Sequence, residues 1–386
     1  MKILPSQRPL FDIPGDVAYL NCAYMSPLPN AVVEASRDGL DRKRHPWRVR
    51  PADFFDITDR ARAAYARLLG APATVDDIAL VPAASYGMAV ACHTLPVGPG
   101  QHVLVLADEF PSTILSWREK ARAAGAALVM VPRPADHDWT TAILSAINER
   151  TAVAALPAVH WIDGAAIDLV SVASRLREIG AALALDLTQS LGARPFPLAE
   201  IDPDFVVVAG YKWLLSPYST GFLYVAPRCQ GGRPLEHHWF GRAGSQHFGN
   251  LGYPEEFQPG ARRFDAGEPS NFGLLPGAIA AVEQILEWGV DRIEATCGAF
   301  TDAIAERAEV LGLAAVPAGR RARHYLGLSS ERRLPVDLTE SLARQNVHVS
   351  VRGVRSLRIT PHVYNEWWEV DRFFSVLEPA IAGRGR

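Results

Sequence analysis

206-VVVAGYKWLLSPYSTGFLYV-225 is the stretch on which the reading of the fold turns. An apolar run stops at Gly210, and Lys212 follows two residues later. A second apolar run, 222–225, comes after a turn containing Pro, Ser and Gly. A chain that places a long cation at the mouth of a buried strand has put it where ligands of open α/β sheets gather, at the carboxyl ends of the strands.

Outward from it, short apolar runs alternate with helical patterns. Strands are expected at 76–83, 102–108, 127–132, 151–161, 181–186 and 204–210. Helices are expected over SYGMAVACHTL, STILSWREKARAAG, WTTAILSAINE and LVSVASRLREIG. Near-continuous apolar strands between amphipathic helices indicate a mostly parallel sheet covered on both faces, an α/β fold. Residues 227–272 change character, rich in Gly, Pro, His and Arg without periodicity, and a loop that long is usually functional. From residue 273 the pattern is helical to about 310. The tail then reads strand (HYLGLS), helix (VDLTESLARQ), strands (VHVSVR, SLRITP) and helix (NEWWEVDRFFSVLEPAI). A large domain at 20–272 is expected, with a small α+β domain at 273–386 to which residues 1–19 add themselves, the two connected by long helices.

Composition bounds the function. Of 386 residues, 48% are apolar and 21% charged, which suits an ordinary globular chain with a sizeable core. The formal net charge of −3 points to neither nucleic acid nor an anionic membrane. No run of 18 apolar residues occurs, and MKILPSQRPLFDIPGD has Pro and Asp where a signal peptide needs an apolar stretch, so a cytoplasmic protein is expected. Cys22, Cys92, Cys229 and Cys297 form no C-x-x-C pair, which argues against zinc and predicts reduced thiols.

Three strand ends carry polar residues with chemical potential: Asp186, Lys212 and His160. Apolar strands feeding a lysine desolvate it, lower its pKa and make its neutral amine available to condense with an aldehyde. The aldehyde that needs both a lysine and a buried carboxylate is pyridoxal phosphate, whose ring nitrogen the carboxylate keeps protonated. Asp186 would do that, and Gln189 would reach the ring hydroxyl from the same turn. Alone, Lys212 would read as a solvated loop residue and Asp186 as a helix N-cap. Their order on neighbouring strand ends favours the cofactor.

Five segments give the chain a resemblance to class V aminotransferase-type enzymes of the fold-type I pyridoxal phosphate proteins, a group with cysteine desulfurases, kynureninases and isopenicillin N epimerase-like proteins. They are YLNCAYMSPLP, DLTQSLGARPF, GYKWLLSPYSTGFLYV, FDAGEPSNFG and LRITPHVYNEWWEVDRF, in the family's order and spanning nearly the whole chain. The resemblance implies an internal Schiff base on Lys212, Asp186 against the pyridinium, Gln189 on the ring oxygen and Tyr211 at the phosphate. PAASYG resembles the turn that opens a helix on the phosphate, with Ser85 its hydroxyl and Ala84 offering a backbone amide, as a dianion at a helix N-terminus requires. EFPST resembles the kynureninase F-P-T-D run and makes Phe110 the ring-stacking residue; otherwise Phe110 is core. Arg358 aligns with the arginine that grips the substrate α-carboxylate; otherwise it is a surface arginine on an edge strand. His160 is either close to the cofactor or a satisfied core histidine. Ala84 replaces a phosphate-turn threonine, and Glu268 stands where a threonine of the partner subunit touches phosphate, with Ser270 and Asn271 as substitutes. A homodimer with shared active sites follows from the resemblance.

The fold does not choose among aminotransfer, elimination and epimerisation. A persulfide-forming desulfurase is disfavoured because 345–356 lacks a cysteine, and kynureninase because Thr113 replaces the aspartate of F-P-T-D. An amino-acid aminotransferase, or a lyase or epimerase of the group, is expected. The loop 235–264 frames substrate selection, with His238, Trp239 and Arg242 as candidates and Arg262 and Arg263 either favouring an acidic substrate or pairing with glutamates such as Glu255 and Glu256. Metal binding by His237 and His238 is disfavoured by their spacing. A cofactor-sensing regulator lacks residues for a DNA-binding module, and a dinucleotide oxidoreductase lacks G-x-G-x-x-G.

Overall fold

The computed structural model describes residues 2–249 and 252–382. Its centre is a seven-stranded sheet in the order Ile78–Leu80, Gly221–Val225, Phe205–Ala209, Ala182–Asp186, Thr151–Pro157, His102–Leu106 and Ala127–Val131. Gly221–Val225 runs antiparallel to both of its neighbours and the remaining pairings are parallel. The expected mostly parallel sheet is present, with each of the six expected strands shorter than its apolar run.

Alternation along the strands feeds two cores, because successive side chains point to opposite faces. Leu104, Leu106, Leu183, Leu185, Val206 and Val208 enter one core. Val103, Val105, Ala184, Phe205 and Val207 enter the other. Helices Ala84–Thr94 and Pro111–Ala124 cover the second face through Met88, Val90 and Trp117. Trp139–Ala146 and Leu169–Glu178 cover the first through Trp139, Ile143, Val172 and Leu176. Asp138 and Asp168 start these last two helices by accepting the amides of Thr141, and of Val170 and Ser171.

Two helices absent from the expectations, Asn30–Arg44 and Pro51–Leu69, join Leu275–Trp288 on the first core. The first of them buries little beyond Val32 and Gly39. Gly39 is required there, since a Cβ would lie 1.9 Å from the Phe272 carbonyl oxygen. Helix Val290–Val310 places Ile293 and Cys297 in the first core and Phe300 and Ile304 in a third. That third core lies under an antiparallel sheet ordered Ser350–Arg352, Ser356–Ile359, Leu326–Ser330, Leu313–Ala315. Helix Trp367–Ala382 closes it with Phe373, Phe374 and Leu377. Ala18 and Leu20 also enter it, and Ala18–Tyr19 pairs in parallel with Val347–His348.

Among its described residues the 227–272 segment has short turns of 3-10 helix and an isolated bridge between Arg242 and Phe257, and it is fastened at its end. Asp265 and Arg62 form an ion pair with both side chains fully buried, and Asp265 also accepts the Leu80 amide at 2.8 Å. Arg62 also donates to the Ile78 carbonyl. The pair therefore fixes the strand that leads into the Ala84–Thr94 helix. Among the described residues no helix is long and apolar enough to cross a membrane.

Candidate active site

A cavity of about 260 Å³ opens at the carboxyl ends of the central strands. Ala84, Ser85, Phe110, Asp186, Gln189, Tyr211 and Lys212 all line it. His160, Ser270 and Arg358 do not.

The lysine is held by its turn. Gly210 donates its amide to the Thr220 carbonyl at 2.7 Å, and a Cβ on Gly210 would lie 2.7 Å from the Thr220 hydroxyl. Leu215 and Ser216 close the turn onto the carbonyls of Lys212 and Gly210. The Lys212 side chain is 8% exposed. Its nitrogen lies 5.5 Å from the Tyr211 ring centroid and 5.6 Å from that of Phe110, with no hydrogen bond or ion pair. Burial lowers its pKa from 10.5 to about 8, opposed by the charge of Asp186 and aided by Arg358 and Arg352. Part of the amine is thus neutral near physiological pH.

Asp186 ends the strand adjacent to the lysine strand, opposite Val207. Its Oδ1 accepts the Thr188 amide at 2.9 Å. Desolvation pushes its carboxyl up, against the pull of Thr188 and Lys212, and a cation placed beside it would reverse the shift. Helix Ala84–Thr94 begins with no side-chain cap, so its first amides face the cavity unopposed. Tyr211 lies against Tyr218 with ring centroids 4.6 Å apart. Phe110 is 41% exposed and meets Trp161 edge-on at 5.5 Å, which makes it a ring at the cavity mouth rather than core. Gln189 spends its carbonyl oxygen on Trp213 Nε1 at 3.0 Å and one amide hydrogen on the Ala23 carbonyl at 3.2 Å.

The other expected residues sit apart. His160 is fully buried, stacks on Trp139 at 5.0 Å and lies 3.3 Å from Asp163 Oδ1, which is core company. The Ser270 hydroxyl donates to the Phe54 carbonyl at 2.8 Å. Arg358 is 1% exposed on an inner strand, not on an edge. It donates to the Trp161 carbonyl at 3.3 Å and to Ser350 Oγ at 3.2 Å. Trp161 itself lines the cavity. In the loop, Arg262 pairs with Asp59 and Asp76, and Arg263 lies over Phe257. Neither meets Glu255 or Glu256 through its side chain.

Among the cavity residues that the sequence reading missed, one is an acid. Glu109 is buried beside Phe110, takes the Phe110 amide on Oε1 at 2.5 Å and leaves Oε2 without a partner. Burial raises its pKa to about 7, opposed by His160. The available signal was an acid just past the His102–Leu106 strand, at the sheet end where ligands collect.

A buried amine of lowered pKa, a carboxylate on the next strand end and an uncapped helix N-terminus form a site that suits an aldehyde carrying a ring cation and a phosphate. The residues present therefore fit pyridoxal phosphate. The family model for class-V aminotransferases matches residues 19–373, and the chain belongs to that family. It is a pyridoxal phosphate-dependent enzyme acting on an amino acid. It is 25% identical over 387 residues to an uncharacterized aminotransferase, YcbU, of Bacillus subtilis, covering 95% of each chain. It is 29% identical over 283 residues to a kynureninase of Deinococcus radiodurans, covering 70% of this chain and 66% of that one. An apo cysteine desulfurase from Thermococcus onnurineus shares the fold with a TM-score of 0.86 at 19% identity, covering 99% of this chain and all of the other.

Proposed function

We propose that the protein is a cytoplasmic, homodimeric aminotransferase that takes the amino group from an α-amino acid. The observation that carries this reading is Lys212: a buried amine without a polar partner, set between the Phe110 and Tyr211 rings and next to the Asp186 strand end. When bound, pyridoxal phosphate supplies the electron sink that lets bonds to the substrate Cα break. In this reading Lys212 holds the cofactor aldehyde and then moves the Cα proton on Nζ. Asp186 keeps the ring nitrogen protonated. The amides of Ala84 and Ser85 take the phosphate, with Tyr211 beside it. Phe110 covers the ring face, and the free N–H of Gln189 serves the ring oxygen. Arg358 takes the α-carboxylate, and Ser270 reaches the phosphate of a partner subunit.

Support for transfer over desulfuration comes from thiol placement. Residues 345–356 bring no cysteine, and Cys22 is buried with its thiol pushed up by desolvation. Thr113, in place of the aspartate of F-P-T-D, brings a hydroxyl rather than a carboxylate and is buried.

Borohydride reduction of the purified protein should fix a pyridoxyl group on the Lys212 peptide. Amino acids added singly should convert the visible spectrum to that of the pyridoxamine form with release of a 2-oxo acid. Ammonia and pyruvate instead would assign a lyase, and exchange of the Cα hydrogen alone an epimerase. Absence of the label at Lys212 would remove the reading altogether.

A further inference from the structure

Two arginines near the cavity have no acid to neutralise them. Arg8 and Arg62, the other buried arginines, each pair with a buried carboxylate, Glu369 and Asp265. Arg358 bonds only a carbonyl and a hydroxyl, and its Nε has no partner. Arg352 is half-buried, its guanidinium 5.4 Å over the Trp161 ring, with Nε unpartnered and no ion pair. A desolvated guanidinium left without an anion is costly, so such an arrangement persists where a ligand brings the anion.

The strand register puts the pair on one face. Ser350 lies opposite Arg358 and Arg352 opposite Ser356, so Arg352 is two residues along from the position facing Arg358. Such diagonal neighbours point the same way, with Cβ atoms within roughly 7–8 Å. Both side chains touch Trp161, which lines the cavity. Both charges also depress the proton affinity of Lys212, which places them within electrostatic reach of the amine. One carboxylate neutralises one of them.

We propose that Arg352 and Arg358 form a two-site anion receptor, selecting an α-amino acid whose side chain carries a second acid group. Arg358 takes the α-carboxylate, Arg352 takes the side-chain acid, and the Trp161 ring lies under the Arg352 guanidinium. This rests on the aminotransferase reading of the same cavity and adds the substrate class to it.

The test uses the holoenzyme and non-reacting acids. Calorimetry should show succinate or glutarate binding about tenfold or more tighter than propionate or butyrate, the value of one charge-assisted hydrogen bond. Spectral titration should favour aspartate or glutamate over alanine by a similar ratio. R352Q should weaken aspartate about tenfold more than alanine, and R352K should restore part of that difference by keeping the charge. Equal binding of mono- and dicarboxylates would overturn the proposal, as would R352Q and R352K each losing aspartate and alanine in parallel. Borohydride labelling at Lys212 separates the two failures. A labelled enzyme without dicarboxylate preference sinks the receptor alone, and an unlabelled one sinks the function beneath it.

Discussion

The indole N–H of Trp213 donates to Oε1 of Gln189 at 3.0 Å, joining the lysine turn to the turn that follows Asp186. Both side chains are buried, and the Gln189 amide also holds the Ala23 carbonyl. Gln189→Ala leaves a buried indole N–H unpaired, and unfolding free energy should fall by about 1–3 kcal/mol. In the Trp213→Phe background the same substitution should cost less, because the shared bond is already gone. Urea unfolding of the four proteins of this cycle measures the difference, and strict additivity would show that the bond couples nothing.

Lys212 gives the cofactor-free protein a pH signature. Its folded pKa of about 8 lies below the 10.5 of an exposed lysine. Between those values the unfolded chain binds the proton that the folded chain has released, so stability rises with pH across that window. Below about pH 8 both states are protonated and the burial cost is fully present. Lys212→Met should abolish this component, seen as a flatter dependence of the urea midpoint between pH 8 and 10.5 than in the parent. In the holoenzyme the same substitution should lower turnover by about 10²–10⁴-fold.

Glu109 has the opposite slope. Its carboxyl is raised from 4.5 to about 7, so the folded state holds a proton that the unfolded chain loses. Stability should fall as pH rises from about 4.5 to 7 and stay reduced above it. Glu109→Gln keeps the shape and removes the charge. Melting curves at pH 5 and pH 8 should show the parent losing stability relative to the variant, and parallel behaviour would mean that Glu109 stays ionised throughout.

The Arg62–Asp265 pair supports the Ala84 end of the cavity, where the proposed function seats the phosphate, from a distance. Arg62→Met strands a buried aspartate and should cost about 3–5 kcal/mol. Because Asp265 also holds the Leu80 amide, just ahead of Pro82 and Ala84, cofactor affinity should drop with stability. Fluorescence titration with pyridoxal phosphate checks this, and unchanged affinity would show that the strand keeps its place without the pair.

The sheet was legible because its inner strands are buried on both faces, which forces runs such as VLVL and FVVVA to be apolar throughout. Lys212 and Asp186 stood out in the sequence because Asp186 ends such a run and Lys212 comes just past the glycine that closes another. Helices Asn30–Arg44 and Pro51–Leu69 were not. The first buries almost nothing, and the second mixes its apolar face with Asp53 and Arg62, both buried against charged partners. Arg352 and the burial of Arg358 were illegible for a related reason, and Glu109 carried only the signal of its place just past a strand. A charged residue in a sequence reads as solvent-facing until the fold shows what surrounds it. Arg358 stood out only through its place in a longer pattern. His160, at the end of an apolar run like Lys212, ended in the core because Trp139 and Asp163 receive it.

The helix Val290–Val310 contributes side chains to two separate cores without interruption. It acts as a strut between the sheet that bears the amine and the smaller sheet that bears the guanidinium pair. In the proposed reading, the span between Lys212 Nζ and the Arg352–Arg358 pair is therefore a dimension of the scaffold, and shortening the strut by one turn would retune which molecules fit across it.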